Sequence, residues 1–294
     1  FSPEDIEFMD READRIVEPF LTRFAREEAA ARELYEAECR VRGLDLEAAG
    51  DLSEATRILA GHPSHEAQVK NDFMLMDPYL DGSIEFPDQE KEESGFGTRK
   101  DPLPGQTFLR RRLFRPPFFS ESGSRSTILA GWATESPSVD RRDGILGGDC
   151  GFAVPGGEGR TRTTLRSPRF RPGPQTTDMD VEFVLFNAYD FFTVGTIGYA
   201  SSITRLDIAI LDLTSGTSVL ERSDETGIRW TVFGGMGIRK PQTIRTKFQI
   251  KPFQNADLVV QAIITNTAGG GGVIVGAHNK TYSRLIQFSV DEFR

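Results

Sequence analysis

The sequence holds few of the residues that enzymes most often use for covalent catalysis and metal binding. It has two cysteines and three histidines in 294 residues. Two cysteines are too few for a disulfide framework, so we expect both thiols to be free. No apolar run approaches the roughly 18 to 20 residues that a transmembrane helix needs, and the sequence therefore predicts no membrane span.

Tryptophan and tyrosine are also scarce, with two and five copies against 22 phenylalanines. Surfaces that bind carbohydrate tend to present Trp and Tyr, because the polar edges of these rings suit the rim of a sugar site. The composition therefore weakens a lectin-like interpretation. One aromatic cluster, Tyr189 with Phe191 and Phe192, fits a protein core better than a binding platform.

The remaining candidates for chemistry lack partners in the sequence. A catalytic thiol needs a base that holds it as a thiolate, and beyond the N-terminal region only His278 could serve Cys150. His62 and His65 have a spacing that suits a metal, but no further Cys or His lies near them. We assign no catalytic, cofactor-binding or metal-binding residue and expect no cofactor. Two acid pairs could serve glycoside hydrolysis only if folding brings their members together: Asp140 with Asp143, and Asp207 with Asp212.

Charge is distributed unevenly along the chain. Residues 1–100 hold 25 acidic against 12 basic side chains, residues 101–178 hold 8 against 12, and residues 179–294 hold 11 of each. An acidic first third and a basic middle attract each other, so we expect contact between them, within one chain or between neighbouring copies.

All twelve basic residues of the middle third are arginines. Guanidinium groups bind carboxylate or phosphate as a two-pronged donor, which suits an anionic surface. We favour pairing of these arginines with acidic helices over binding to nucleic acid, because the whole chain is acidic and has no recognisable nucleic-acid module. The third interpretation is that the arginines form a solvated face. The candidate interaction residues are Arg110, Arg111, Arg112, Arg115, Arg160, Arg162, Arg166, Arg169 and Arg171.

The N-terminal region has the pattern of an amphipathic helix. Ser2 can cap the helix and Pro3 suits its first turn. Apolar residues then recur at spacings of three and four, and Pro19 is expected to kink the helix or divide it in two. Gly43 is placed to end the helical stretch. Shorter helices are predicted for residues 53–60 and 64–76.

The middle and the C-terminal parts differ in character. Residues 81–178 are rich in Pro and Gly, and only Thr107 to Phe114 and Ser126 to Thr134 are expected as strands. From Met179 onward apolar and polar residues alternate in about seven short strands, which is typical of an antiparallel sandwich. Gly269 to Gly272 are expected to form a hairpin loop.

These patterns predict an α+β chain of several units. They are an N-terminal helical domain (residues 1–80), an extended and irregular arm or linker region with a few strands (81–178), and a C-terminal antiparallel β-sandwich or jelly roll (179–294). The long middle lacks the apolar residues for a core of its own, so we expect it to wrap a neighbouring surface.

The sequence favours a non-enzymatic structural or interaction protein, a repeating component of a larger assembly such as a virus or phage particle or a surface appendage. Its partners are then other copies of itself or neighbouring assembly proteins, and its expected location is a virion or an extracellular assembly. Two alternatives remain open: a secreted β-sandwich module that binds carbohydrate or a cell surface, and a hydrolase that uses carboxylates or Cys150.

Overall fold

The computed structural model describes residues 1–43, 105–128, 132–153, 156–251 and 255–294. These residues form one helix and eight antiparallel strands that belong to one sheet. The short helices predicted for residues 53–60 and 64–76 lie outside the described residues. The elements are α1 (Pro3–Val41), β1 (Phe108–Phe114), β2 (Ser120–Ile128), β3 (Trp132–Asp140), β4 (Ile145–Ala153), β5 (Gly156–Arg166), β6 (Asp178–Asp212), β7 (Thr217–Ile250) and β8 (Leu258–Phe293).

Helix α1 begins and ends where the sequence predicts. The Ser2 hydroxyl accepts the Asp5 backbone N–H at 3.2 Å, and the Asp5 carboxylate accepts the Ser2 N–H at 2.8 Å, which completes a capping box. Gly43 follows the last turn with φ +67°, a conformation that favours glycine. No helix in the described ranges combines the length and apolar character that crossing a membrane requires.

Of the two outcomes expected for Pro19, a kink or a division of the helix in two, the division is wrong, because α1 continues through Pro19, and the kink stays a prediction. Pro19 lies on the exposed side of α1, where water can satisfy the carbonyl group that loses its donor. Buried residues precede and follow it on the opposite side, Val17 and Phe20 among them. Packing on both sides of the proline therefore holds the helix together.

Three long strands replace the seven short ones predicted after Met179. β6 pairs with β7 along one edge and with β8 along the other, over nearly its whole length. A straight strand of 35 residues would extend about 115 Å. Instead, the buried cluster contains residues from both halves of β6, Val181 and Phe183 with Ile208 and Ile210. The two halves therefore face each other across one core.

Glycines lie where the long strands bend. Register shifts occur beside Gly195 and Gly198, and a Cβ atom at Gly272 would lie 2.4 Å from the Gly198 Cα atom. Only glycine permits so close an approach. Gly269 to Gly272 are thus part of β8 and not the predicted hairpin loop, because their backbone keeps pairing with β6. Paired glycines form a line across β5, β8, β6 and β7, which we call the glycine line. Its pairs are Gly195 with Gly234, Gly198 with Gly272, and Gly156 with Gly271.

The described part of the middle region is mostly strand, which corrects the expectation of an irregular segment. β5, β4 and β1 pair in turn with successive stretches of β8, while β2 pairs with β5 and β3 with β4. The middle region has too few apolar residues to predict a core of its own. Its strands form because they pair with the backbone of β8. Strands on both sides of the boundary expected at residues 178 and 179 belong to one sheet; the three-domain division stays a prediction.

Candidate interaction surface

Helix α1 covers one face of the sheet, and its apolar stripe packs on the two central strands. Near its start, Phe8, Met9, Ala13, Ile16 and Val17 form one buried cluster with side chains of β6 and β8. The strand residues of this cluster are Ala209, Leu211, Val259 and Ile263. Burial of each large apolar side chain contributes about 1.5 to 3 kcal/mol, so this seam supplies most of the attraction. We call the sheet surface under α1, formed by β5, β8, β6 and β7, the α1-covered face.

Acidic residues of α1 meet arginines on the β5 side of this face. The Asp10 carboxylate lies 2.5 Å from the Arg166 guanidinium, and the Asp14 carboxylate pairs with Arg162. The Asp5 carboxylate lies 2.6 Å from Arg169, just beyond the end of β5. The residue numbers of the acids increase along α1 while those of their arginine partners decrease, so the helix runs antiparallel to β5.

On the β7 side, two of the three ion pairs named here have the charges reversed, with arginine on the helix and glutamate on the strand. Arg15 and Arg23 of α1 pair with Glu221 and Glu225 of β7, and Arg229 lies 3.4 Å from Glu27. Arg15 and Arg23 are eight residues apart, which is about 12 Å along a helix, and Glu221 and Glu225 are four residues apart, which is about 13 Å along a strand. The two arginines are therefore spaced like the two glutamates that they meet. The sequence analysis missed this flank. A comparison of the eight-residue spacing in the helix with the four-residue spacing in the strand would have revealed it.

Aromatic rings fill the space under the second half of α1. Phe24 and Trp230 have ring centroids 5.0 Å apart, and Tyr35 lies 5.7 Å from Tyr199 and 5.5 Å from Phe233. The described Tyr and Trp side chains of this cluster are therefore covered by the helix. Burial raises the pKa of the nearby Cys39 thiol, which is fully buried at this end.

A buried carboxylate lies beneath the middle of the helix. Asp207 is 1% exposed and accepts two hydrogen bonds from Arg205, at 2.8 and 2.9 Å. Arg205 also contacts Glu225, and it donates to the Ile16 carbonyl of α1. Burial raises the pKa of Asp207 to about 6, although the Arg205 guanidinium opposes this shift.

The nine candidate arginines do not form a single surface. Arg162, Arg166 and Arg169 lie under α1, whereas Arg171 pairs with Asp257 at 2.7 Å. The others pair within the sheet: Arg110 and Arg112 with Glu292, Arg111 with Asp291, Arg115 with Gln287, and Arg160 with Glu158. Folding thus separates residues that the sequence places in two runs.

Glu292 joins the end of the chain to the middle region. It accepts hydrogen bonds from Arg110 (2.7 Å), Arg112 (2.9 Å), the Gly173 N–H (2.8 Å) and the Thr176 hydroxyl (2.6 Å). Burial by itself would raise the pKa of Glu292, but these donors outweigh it and lower the pKa below its usual value. These hydrogen bonds hold β1 and the loop after Arg171 against β8, so the role of the cluster is structural.

The residues considered for catalysis are not brought together. Cys150 pairs with Asn279, while His278 pairs with Gly151 and its ring lies 2.6 Å from Asp149. Since neighbouring strand residues point to opposite faces, the Cys150 thiol and the His278 ring lie on opposite sides of the sheet.

Folding does not bring Asp207 and Asp212 together either. Asp212 accepts hydrogen bonds from Thr214 and Ser215 in the turn after β6, and Asp207 is bound to Arg205. Five positions separate the two acids on one strand, so they lie about 17 Å apart and on opposite faces. Within the described ranges no three His, Cys, Asp or Glu side chains are grouped to hold a metal ion. His62 and His65 lie outside those ranges.

No protein-family model and no curated protein sequence matches the chain. Solved structures show partial likenesses. Tailspike protein 4 of bacteriophage CBA120 is 14% identical with a TM-score of 0.24, and the match covers 56% of this chain but 19% of the tailspike chain. The structure of infectious bursal disease virus, Gt strain, is 11% identical with a TM-score of 0.25, and the match covers 63% of this chain and 41% of the viral chain. The C-terminal CBM6 of a marine laminarinase from Zobellia galactanivorans is 9% identical with a TM-score of 0.20, and the match covers 62% of this chain and 99% of the CBM6 chain. At these TM-scores the likenesses assign neither fold nor function.

Proposed function

We propose that this chain is a non-enzymatic structural protein, a repeating component of a larger assembly such as a virus or phage particle or an extracellular appendage. The observation that carries the proposal is the contact between α1 and the sheet. In the described residues, an apolar seam lies in the middle of this contact, ion pairs lie on both flanks, and Arg205 donates one hydrogen bond to the Ile16 carbonyl. Interfaces between separate proteins have this arrangement of apolar core and polar rim.

The charges of this contact give it directional specificity. Asp10 and Asp14 require a basic flank on one side of the helix, and Arg15 and Arg23 require an acidic flank on the other. A reversed helix would place like charges together, which costs free energy at each position. A subunit that must join its neighbours in one orientation benefits from such a pattern.

The test is the mass of the native material. Light scattering and electron microscopy of the purified chain, over a range of concentrations and salt, should reveal particles with repeating subunits. The partners would be other copies of the chain or neighbouring assembly proteins. A chain that stays monomeric at the highest concentration, and that adds to no particle in its native source, would contradict the proposal.

A sugar array separates this function from a carbohydrate-binding one. The clustered rings of Tyr199 and Trp230 lie against α1 in the described structure. We therefore expect no binding to the array by the intact chain. Specific binding that is lost on replacing Trp230 would favour the binding module instead.

A further inference from the structure

The α1-covered face contains polar groups that the helix buries without satisfying. Gln261 and Thr265 lie on the same side of β8 as Val259 and Ile263, which pack against α1. Gln261 is 0% and Thr265 2% exposed, yet the Gln261 Nε2 and Thr265 Oγ1 atoms have no hydrogen-bond partner among the described atoms. A buried donor without a partner is destabilising. Water would satisfy both atoms if the helix lifted away, so the face is compatible with an uncovered state.

Two of the ion pairs on the flanks are also suited to release and rebinding. The Asp14 and Arg162 side chains are 66% and 30% exposed, and those of Arg15 and Glu221 are 49% and 37% exposed. Exposed pairs of this kind are individually weak and are screened by salt. They select the orientation of the helix without fixing it permanently, in contrast to the buried Glu292 cluster.

The chain between the helix and the sheet is long enough to serve two copies. Residues 44–104 separate α1 from the described sheet region, and 61 residues can span at most about 200 Å. Every contact that α1 makes with its own sheet can form equally with the sheet of a second copy. The choice between them then depends on local concentration, which an assembly raises.

We propose that the α1-covered face binds the α1 helix of a second copy, so that neighbouring subunits of the assembly exchange their helices. This inference rests on the proposed function and specifies its interface. Exchange between two copies is reciprocal, since each gives one helix and receives one, and the resulting pair is closed. The free subunit keeps its helix on its own sheet, and assembly transfers it.

Two charge-reversal variants test the exchange. The first carries Asp10→Arg and Asp14→Arg, and the second carries Arg162→Asp and Arg166→Asp. Each variant has like charges within its own helix and sheet contact. In an exchanged pair of the two variants, both contacts have opposite charges. Native mass spectrometry of the mixture should show the mixed dimer in at least about tenfold excess over either homodimer.

A chain with all four substitutions is the control, because its own contact is matched again and it should behave like the wild type. The milder pair of variants, Asp14→Arg and Arg162→Asp, changes an exposed and a half-buried side chain, leaves the nearly buried Arg166 in place, and serves if the double variants fail to fold. A mixture of folded variants without mixed dimers would overturn the exchange. Particles formed by the wild-type chain in the same preparation would show that the proposed function stands while this inference fails.

Discussion

Asp10 of α1 and Arg166 of β5 lie 2.5 Å apart, between Oδ1 and Nη2, although 156 positions separate them in the sequence. Arg166 is nearly buried and also donates to the Gln261 amide oxygen at 2.8 Å, whereas the Asp10 side chain is 54% exposed. The pair therefore connects a solvent-facing helix position to a fixed guanidinium in the sheet. It gives the most direct measure of how strongly electrostatics holds the helix in place.

We expect a coupling free energy of about 0.5 to 1 kcal/mol between these two side chains, because Asp10 is half exposed. The measurement is a double-mutant cycle with Asp10→Asn, Arg166→Gln and the double variant, by urea unfolding. The coupling should shrink in 1 M salt, where the screening length is about 3 Å. Strictly additive effects at low salt would contradict the pairing.

The two thiols report on different layers of the structure. Cys39 and Cys150 are both fully buried, and burial raises the pKa of each, so both should react slowly in the native protein. Cys39 is on the buried side of α1, whereas Cys150 lies in strand β4. Added salt should accelerate maleimide labelling of Cys39 by at least about tenfold and leave Cys150 unchanged. Cys39→Ala and Cys150→Ala variants assign the signals, and equal acceleration of both would refute a separately detaching helix.

The glycine line should tolerate no side chain where the long strands bend. Gly272 has φ +140° and lies against Gly198, so Gly272→Val should lower the free energy of unfolding by at least about 3 kcal/mol. Gly237→Val is the matched control, because this position is exposed and its Cβ atom would approach nothing closer than 3.9 Å. We expect this change to be neutral within about 1 kcal/mol. Similar urea midpoints for the two variants would show that the bend needs no glycine.

Asp207 should make the protein less stable as pH rises from about 4 to 6. Its folded pKa of about 6 exceeds its ordinary value of 3.8, so the folded state binds the proton more tightly. The stabilisation is complete below pH 4, and about 3 kcal/mol of it is lost by pH 7. Urea unfolding across this range should show the loss in the wild type and in the exposed-site control Asp224→Asn, but not in Asp207→Asn. A parallel pH profile for Asp207→Asn would exclude this origin.

Glu292 should act in the opposite direction. Its lowered pKa means that the stability it provides is present at neutral pH and is lost as pH falls through the folded pKa. At neutral pH, Glu292→Gln should cost about 2 to 4 kcal/mol, since four donors lose a buried charged acceptor. Glu182→Gln, whose 3.6 Å pair is with the exposed Lys247, should cost less than about 0.5 kcal/mol. Equal costs would mean that the cluster is not structural.

Local features of this chain could be predicted from nearby residues. Ser2, Pro3 and Gly43 mark the ends of α1, because capping involves groups within four positions. The alternation from Thr246 to Ile250 likewise indicates a strand with one buried side, and that stretch lies in β7. Such signals depend on the backbone within a few residues, and the sequence contains all of them.

The sequence by itself determined the helix, the strand-forming character of the chain after Met179, and the opposite charges of the first and middle thirds. It could not distinguish glycines that end strands from glycines that let long strands bend, because both place the same residue between apolar runs. It also could not specify which acid meets which arginine, since Asp10 and Arg166 become neighbours only after β5 pairs with β8 and α1 covers them. Those contacts depend on pairing between distant strands, and only the tertiary structure decided them.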